Sequence, residues 1–337
     1  MSFHFGISLV CDDTSAFPDW VRTVERCGFD RIGLTDSPAL YPETYVTGVL
    51  CAQNTTRLQF GPRVTNPITR HPIVTARGIV SLAELAPGRV LLGMGTGDSA
   101  AHSAGKRRAT LREVELYIAA VRGLIRDGRA EYEGETLTFD PSETDIPIYM
   151  AASGPKALRK AAAIADGIIV GTGVTSEAIQ AALDHIRAGA AEAGRDWRDL
   201  DLWWLSGCRV EEDRATAEEK MLSVSAAIFN AHFRTSLEGK ALPEELRQQA
   251  TNLLDRYDFT HHIKHGARAT NGELLATMPA LRRHVTDRYL IGGSPEDCIR
   301  QLERAAEAGA SQFWWTASFP DKMEFVTRFA PVIAALH

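Results

Sequence analysis

The sequence lacks the features that mark several classes of protein. Its five cysteines form no C-x-x-C pair, so we expect reduced, mostly buried thiols and neither a disulfide framework nor a cysteine metal site. No apolar run approaches the roughly 20 residues of a membrane helix. A net charge of −6 and an isoelectric point of about 6.0 give no general attraction for nucleic acid. The first ten residues, MSFHFGISLV, have no basic region or cleavage site, so we expect a first strand and a cytoplasmic protein.

Strand and helix patterns alternate along the chain. Strands are expected at 3–10, 31–35, 58–64, 90–92, 148–151, 167–170, 202–210 and 312–316. Eight strands, each followed by a helix, are the count of a TIM (β/α)8 barrel. A doubly wound parallel sheet is the alternative fold. Two observations disfavour it, because no strand is followed by a helix that begins with GxGxxG, and ligand-like turns follow several strands instead of one. The sequence therefore predicts an α/β fold, one TIM barrel over residues 1–337.

Two tryptophan pairs lie on predicted strands, Trp203–Trp204 on the seventh and Trp314–Trp315 on the eighth. Neighbouring side chains on a strand point to opposite faces of the sheet. We therefore expect one tryptophan of each pair inside the barrel and the other under the helices.

A polar stretch at residues 230–287 does not fit one strand–helix unit, and its helical pattern at 243–257 is weak. We interpret it as an insertion after strand seven that covers the barrel as a lid. The stretch contains His261, His262 and His265. His261 and His265 could share one helix face, but no third ligand is evident, so no metal is expected. Contact with a substrate from the lid is the other possibility for these histidines.

Two strand ends in the window 61–101 carry ligand-like turns. The third strand ends in Val64, Thr65, Asn66 and Pro67, and the fourth opens into glycines at 93, 95 and 97. Glycine lets the backbone approach a ligand closely because it has no Cβ. Strand ends of parallel sheets meet at one edge, where ligands bind. An enzyme with a bound cofactor is the leading interpretation.

Four motifs resemble those of one known family. They are VTNPITRHP at 64–72, LGMGTGDSA at 92–100, AASGPKAL at 151–158 and IADGIIVGTG at 164–173. In this order they resemble the luciferase-like monooxygenases, which are flavin- and deazaflavin-dependent TIM-barrel oxidoreductases. The subgroup that contains methylenetetrahydromethanopterin reductase is the most similar. The resemblance is weakest over the insertion, and it implies the fold more strongly than the substrate.

The resemblance implies a role for several residues. A non-prolyl cis peptide, here between Arg63 and Val64, would lie behind the cofactor ring, and Asn66 would hydrogen-bond the ring edge. The polar side of the ring would be lined by Gly95, Thr96, Gly97 and Asp98. The cofactor phosphate would be held by two turns, Ala152, Ser153 and Gly154 after strand five, and Gly171, Thr172 and Gly173 after strand six.

The chain departs from the family at the end of strand two. Many relatives have Asp-His or Glu-His there, whereas this chain has Asp36 and Ser37. Asp36 is kept as a catalytic and cofactor-side candidate, but Ser37 cannot act as a general base without help. Asp98 is the preferred substitute for the missing histidine. His71, which could equally cap a helix, and His102 could also contribute.

The favoured function is that of a monooxygenase in which reduced FMN from a separate flavin reductase activates oxygen for a small organic substrate. The alternative is hydride transfer with the deazaflavin coenzyme F-420. A second alternative, supported by the missing histidine, is a non-catalytic flavin-binding member. We expect a homodimer or higher homo-oligomer through the outer helices of the early strand–helix units. The basic run at 106–108 is either a solvated loop or a clamp for an anionic ligand.

Overall fold

Eight parallel strands form a nearly closed barrel in the computed structural model, which describes residues 2–258 and 270–337. The described residues contain eleven strands in all, β1 (His4–Leu9), β2 (Arg31–Leu34), β3 (Gln59–Pro62), β4 (Leu92–Met94), β5 (Arg129–Tyr132), β6 (Glu135–Thr138), β7 (Ile148–Ala152), β8 (Gly167–Val170), β9 (Asp201–Val210), β10 (Leu290–Gly293) and β11 (Gln312–Ala317). The wall has the order β3-β2-β1-β11-β9-β8-β7-β4, and the bridges Phe60–Val90 and Thr65–Met94 join β3 to β4. The predicted α/β TIM barrel is confirmed.

Helices follow the strands and cover the barrel. They are α1 (Phe17–Arg26), α2 (Thr44–Asn54), α3 (Pro72–Leu85), α4 (Asp98–Ser103), α5 (Leu111–Asp127), α6 (Pro155–Ile164), α7 (Ser176–Glu192), α8 (Arg214–Phe233), α9 (Arg247–Asp255), α10 (Thr270–Ala276), α11 (Pro279–Tyr289), α12 (Pro295–Glu307) and α13 (Lys322–Leu336). Capping boxes begin two of them, Thr110 with Glu113 at α5 and Ser294 with Asp297 at α12. None of the described helices is both long and apolar enough to span a membrane.

Three strands were not expected from the sequence. β10 pairs with Gly207–Val210 of β9, beyond the part of β9 that pairs with β8. Its sequence, LIGG, is too short and glycine-rich to give a strand pattern. β5 and β6 form an antiparallel hairpin with mostly exposed or half-buried residues, so no apolar alternation marks them.

The tryptophan pairs divide as expected. Trp203 and Trp314 lie inside the barrel in one cluster with Tyr149. Trp204 and Trp315 belong to the large apolar core between the sheet and the helices. The prediction from strand alternation is confirmed for both pairs.

A polar cluster closes the amino-terminal end of the barrel. Asp201, the first residue of β9, accepts hydrogen bonds from Arg31 (2.9 Å), the Tyr149 hydroxyl (2.6 Å) and Gln312 (2.6 Å). The Arg31 guanidinium also lies 4.2 Å from the centre of the Trp203 ring. These contacts fill the amino-terminal end, and ligand sites of such barrels lie at the opposite, carboxyl end.

The insertion forms a small core of its own next to the barrel. The apolar side chains of this core come from α8 to α11 and include Phe229, Phe233, Leu253 and Leu275. Helix α8 extends to Phe233. Helix α9 lies within residues 243–257, where the weak helical pattern predicted a helix. His261, His262 and His265 lie outside the described residues. A lid role for residues 230–287 stays a prediction.

Candidate active site

The end of β3 bulges against β4 at the carboxyl end of the barrel. The peptide bond between Arg63 and Val64 is cis, as the resemblance implied. Two backbone hydrogen bonds of 2.9 Å hold the bulge, from Thr65 N–H to Gly93 O and from Gly95 N–H to Thr65 O. Thr65 and the ends of the two strands therefore form one rigid ledge.

The glycines after β4 make room for this ledge. An added Cβ would lie 2.4 Å from Pro62 O at Gly93, 2.6 Å from Val64 Cγ2 at Gly95 and 2.7 Å from Asn66 Cβ at Gly97. Gly97 also has a left-handed backbone with φ of +80°. On the Cβ side of these glycines the chain itself fills the space, and a close approach of their backbone to a ligand stays a prediction. Contact of Gly95, Thr96 and Gly97 with a cofactor stays a prediction.

Three buried polar atoms without a partner in the described chain lie within four consecutive residues at the ledge, 63–66. Arg63 Nε, Thr65 Oγ1 and Asn66 Nδ2 are buried and have no hydrogen-bond partner among the described residues. Asn66 Oδ1 accepts from the backbone N–H groups of Ile68 (2.9 Å) and Thr69 (3.0 Å), which fixes the amide. Native proteins pair nearly all buried polar atoms. Three unpaired atoms on one ledge therefore indicate a place where a polar ligand completes the structure.

Asp36 is held in a buried ion pair next to this ledge. Its carboxylate binds Arg70, and Arg70 also binds Glu43 Oε1 at 2.6 Å. Burial alone would lower the pKa of Arg70, but the two carboxylates outweigh it and raise the pKa above its ordinary value. Ser37 Oγ lies 2.7 Å from Ser99 Oγ and so joins the turn after β2 to α4. The structure thus shows structural contacts for both residues, and their catalytic roles stay predictions.

Asp98, the preferred substitute for the missing histidine, is the first residue of α4 and is more than half exposed. It forms an ion pair with Arg234, the residue that follows α8. His102 is exposed on α4, and His71 caps α3 by accepting from the Ile73 N–H at 3.4 Å. Of the two roles considered for His71, helix capping and catalysis, the structure shows helix capping. A proton-transfer role for Asp98 stays a prediction.

The two turns expected to hold a phosphate lie side by side. Gly171 N–H donates to Ala152 O at 2.9 Å, which joins the turn after β8 to the end of β7. Ser153 and Gly154 lead into α6, whose first turn has no side-chain cap. Its amide groups are thus open to an anion. Thr172 Oγ1, on the other turn, is buried without a partner in the part of the chain that is described.

Two basic residues that the sequence did not single out lie next to these turns. Arg288 is 4% exposed and donates to Thr172 O (2.8 Å) and Ala241 O (3.0 Å). Gly173, with φ of +108°, leaves the space that Arg288 occupies. Lys240 is 8% exposed and lies within 3.5 Å of a Cβ built at Gly154.

The charges of Lys240 and Arg288 are not balanced by carboxylates in the described residues, since no ion pair is formed by either. Burial, then the charges of Arg108 and Arg288, lower the pKa of Lys240 to about 8. Burial lowers the pKa of Arg288 as well. The sequence could not reveal this pair, because Lys240 lies in the polar insertion, Arg288 lies just beyond it on α11, and only the fold brings them to the turns.

The basic run at 106–108 borders a cleft of about 320 Å³ beside this cation pair. The cleft is lined by Asp98, His102, Lys106, Arg107, Arg108, Arg234 and Thr235. Arg107 is paired with Glu113, and Thr235 Oγ1 accepts from Lys240 Nζ at 3.4 Å. The described residues contain no group of three or more histidine, cysteine or acidic side chains placed to hold a metal ion.

Comparison with known proteins agrees with this architecture. The family model described as luciferase-like monooxygenase matches residues 7–312. The chain is 28% identical to a 5,10-methylenetetrahydromethanopterin reductase of Methanolobus tindarius, over 91% of this chain and 92% of that one. It is 29% identical to an F420-dependent glucose-6-phosphate dehydrogenase of Beutenbergia cavernae, over 92% and 89%. The structure of a coenzyme F420 dependent tetrahydromethanopterin reductase from Methanopyrus kandleri superposes with a TM-score of 0.79 at 24% identity, covering 99% of both chains.

Proposed function

Since the chain belongs to the luciferase-like monooxygenase family of oxidoreductases, we propose that it transfers a hydride between the deazaflavin coenzyme F-420 and a small organic substrate. Relatives named for dependence on this coenzyme match about nine-tenths of the chain. These relatives favour the deazaflavin alternative over the reduced-FMN monooxygenase that the sequence motifs put first. Under this proposal no separate flavin reductase is required.

The observation that carries the proposal is the pair of buried cations, Lys240 and Arg288, beside the uncapped first turn of α6. A buried charge without a counter-ion is costly, and an anion removes that cost. Phosphate is an anion suited to a helix N-terminus with adjacent basic groups. The residues present therefore fit a phosphate-bearing cofactor.

We assign the other end of the cofactor to the ledge after β3. Thr65 and Asn66 would pair their buried free groups with polar atoms of the ring, and the Gly95–Asp98 turn would border it. The bound coenzyme supplies the carbon atom that gives or accepts the hydride. The ion pair of Asp36 with Arg70 would keep the ledge in place. The large apolar core between the sheet and the helices would exclude water from behind the ledge.

The proton that accompanies hydride transfer needs a separate acceptor. Ser37 bonds Ser99 and has no basic group among its hydrogen-bond partners in the described residues. We propose Asp98 for this role, because its carboxylate is accessible at the turn after β4. Its ion pair with Arg234 positions the carboxylate at that turn.

Titration of the purified protein with F-420 and with FMN, each oxidised and reduced, tests the proposal. We expect binding of the deazaflavin at micromolar concentration or below, and weaker binding of FMN. Tight binding of FMN alone would restore the monooxygenase interpretation. Binding of neither would overturn the proposed function and favour a non-catalytic member of the family.

A further inference from the structure

Arg63, at the cis peptide bond after β3, carries its guanidinium into the barrel. Nη1 donates to Ser8 Oγ (2.8 Å) and Thr316 Oγ1 (3.1 Å), and Nη2 donates to Thr316 Oγ1 (3.2 Å). The weaker contact of Nη2 with Trp314 O is 3.5 Å long. Nε is buried without a partner among the described residues. Arg63 is thus surrounded by neutral acceptors that do not satisfy all of its donors.

The neighbouring strand is built to admit this side chain. A Cβ at Gly33 of β2 would lie 2.8 Å from Arg63 Cβ and 2.2 Å from Ser8 Oγ. Any other residue at position 33 would therefore displace Arg63 or Ser8. The glycine at position 33 thus provides a specific space for an arginine inside the barrel, where an apolar side chain would otherwise pack.

Arg31, a second arginine near the Trp314 ring, shows what is unusual about Arg63. The Trp314 ring centre is 5.2 Å from the Arg63 guanidinium and 6.0 Å from that of Arg31. Arg31 is paired with Asp201 at the amino-terminal end, whereas Arg63 forms no ion pair with any described carboxylate. Of the two guanidinium groups near the Trp314 ring, Arg31 therefore has a carboxylate partner and Arg63 has none among the described residues.

No titratable group opposes the charge of Arg63 from the strands packed around it. On β1 the only titratable side chain is His4, which pairs with Asp30 at the other end. On β2 the only titratable side chain is Arg31, and β4 and β11 have no titratable side chain. Asp36, beyond β2, is held by Arg70. Burial lowers the pKa of Arg63 to about 9, so the guanidinium is still protonated at neutral pH.

We propose that Arg63 is the counter-charge of the redox site, so that the site binds the reduced coenzyme, whose ring has gained negative charge, more tightly than the oxidised one. This inference rests on the proposed function, because it places the ring on the ledge next to Arg63. Addition of a hydride to the oxidised ring adds one negative charge to the ring. A fixed, desolvated cation nearby stabilises that charge much more than the same cation would in water.

Dissociation constants of oxidised and reduced F-420 for the wild type, R63K, R63Q and R63M test the inference. We expect the wild type to bind the reduced form more tightly than the oxidised form. R63K should keep most of this ratio of dissociation constants, whereas in R63Q and R63M the ratio should fall by about tenfold. R63Q retains hydrogen-bond donors without charge, so it separates the charge from the hydrogen bonds. An unchanged ratio in folded R63Q and R63M would overturn the inference and leave the proposed function intact.

The midpoint potential of F-420 bound to the wild type gives a second test that needs no variant. Tighter binding of the reduced form makes the bound potential more positive than that of free coenzyme. A bound potential equal to or below the free one would contradict the role of Arg63. If the wild type binds no coenzyme in either state, the proposed function fails, and the inference fails with it.

Discussion

Arg288 Nε donates a hydrogen bond of 2.8 Å to the carbonyl oxygen of Thr172, and this bond joins the last turn of α11 to the turn after β8. The N–H of Val174 donates back to Arg288 O at 2.7 Å. The insertion is therefore fastened to one of the turns that would hold the cofactor phosphate. A residue far along the chain both shapes this turn and supplies its positive charge.

Substitution of Arg288 or Lys240 by methionine should weaken binding of a phosphate-bearing coenzyme by about 10- to 100-fold each, because a charge-assisted hydrogen bond is lost. Arg283→Met is the matched control, since Arg283 lies on the same helix with its side chain 87% exposed. Fluorescence titration measures the affinities. Equal affinities for R288M and R283M would argue against an anion site at these turns.

The affinity for the coenzyme should also depend on the protonation of Lys240. With a pKa of about 8, Lys240 is charged below that pH and neutral above it, so affinity should fall as the pH rises through 8. Without ligand, the unfolded state holds this proton up to about pH 10.5, so the free energy of unfolding should rise with pH between 8 and 10.5. Titrations from pH 7 to 10 on the wild type and K240M test this, and identical pH profiles would refute it.

The ion pair between Asp36 and Arg70 should contribute strongly to stability. The two side chains are 2% and 13% exposed, so R70M leaves a buried carboxylate unpaired and should lower the free energy of unfolding by about 3–5 kcal/mol. The double variant D36N/R70M should be more stable than R70M alone. Denaturant unfolding of the wild type, both single variants and the double variant provides the cycle. Additive losses would show that the two residues do not depend on each other.

The cluster around Asp201 should determine part of the sensitivity to acid. Burial raises the pKa of Asp201, but the charge of Arg31 and the hydrogen bonds of Tyr149 and Gln312 outweigh it, and the pKa lies below its ordinary value of 3.8. This contribution to stability is complete above pH 3.8 and is lost as the pH falls through the lower, folded-state pKa. D201N should lower the melting temperature at pH 7 and flatten its fall between pH 4 and 2. Coenzyme affinity serves as the control, since the cluster lies at the opposite end of the barrel.

The sequence was sufficient to predict the barrel because its signals are local. Alternating strands and helices, the capping box at Thr110 and the two tryptophan pairs each depend on neighbouring residues. The cis bond at Arg63 was predicted from a motif and is present. Each of these features could be inferred without knowing which distant segments meet.

The cation pair could not be predicted, because it depends on contacts between distant segments. Lys240 lies near Gly154, and Arg288 lies against Thr172, more than 80 residues away in sequence. The neutral surroundings of the Arg63 guanidinium likewise depend on Ser8 and Thr316, from the first and last strands of the barrel. Isolated basic residues carry no sequence signal that shows whether a carboxylate will face them.

The last prediction concerns the homo-oligomer, which we propose to form through α2 and α3. The large apolar side chains that are exposed in the described residues all precede residue 117, and they are Leu40, Val46, Val74, Leu85 and Leu116. Exposed apolar side chains concentrated on one part of a surface are typical of an interface. V46D/V74D should therefore convert a dimer into a monomer in size-exclusion chromatography with light scattering, because two buried, unpaired carboxylates oppose association. Glu303→Ala on α12, far along the chain from these helices, should leave the mass unchanged. A monomeric wild type, or a V46D/V74D protein of unchanged mass, would exclude this interface.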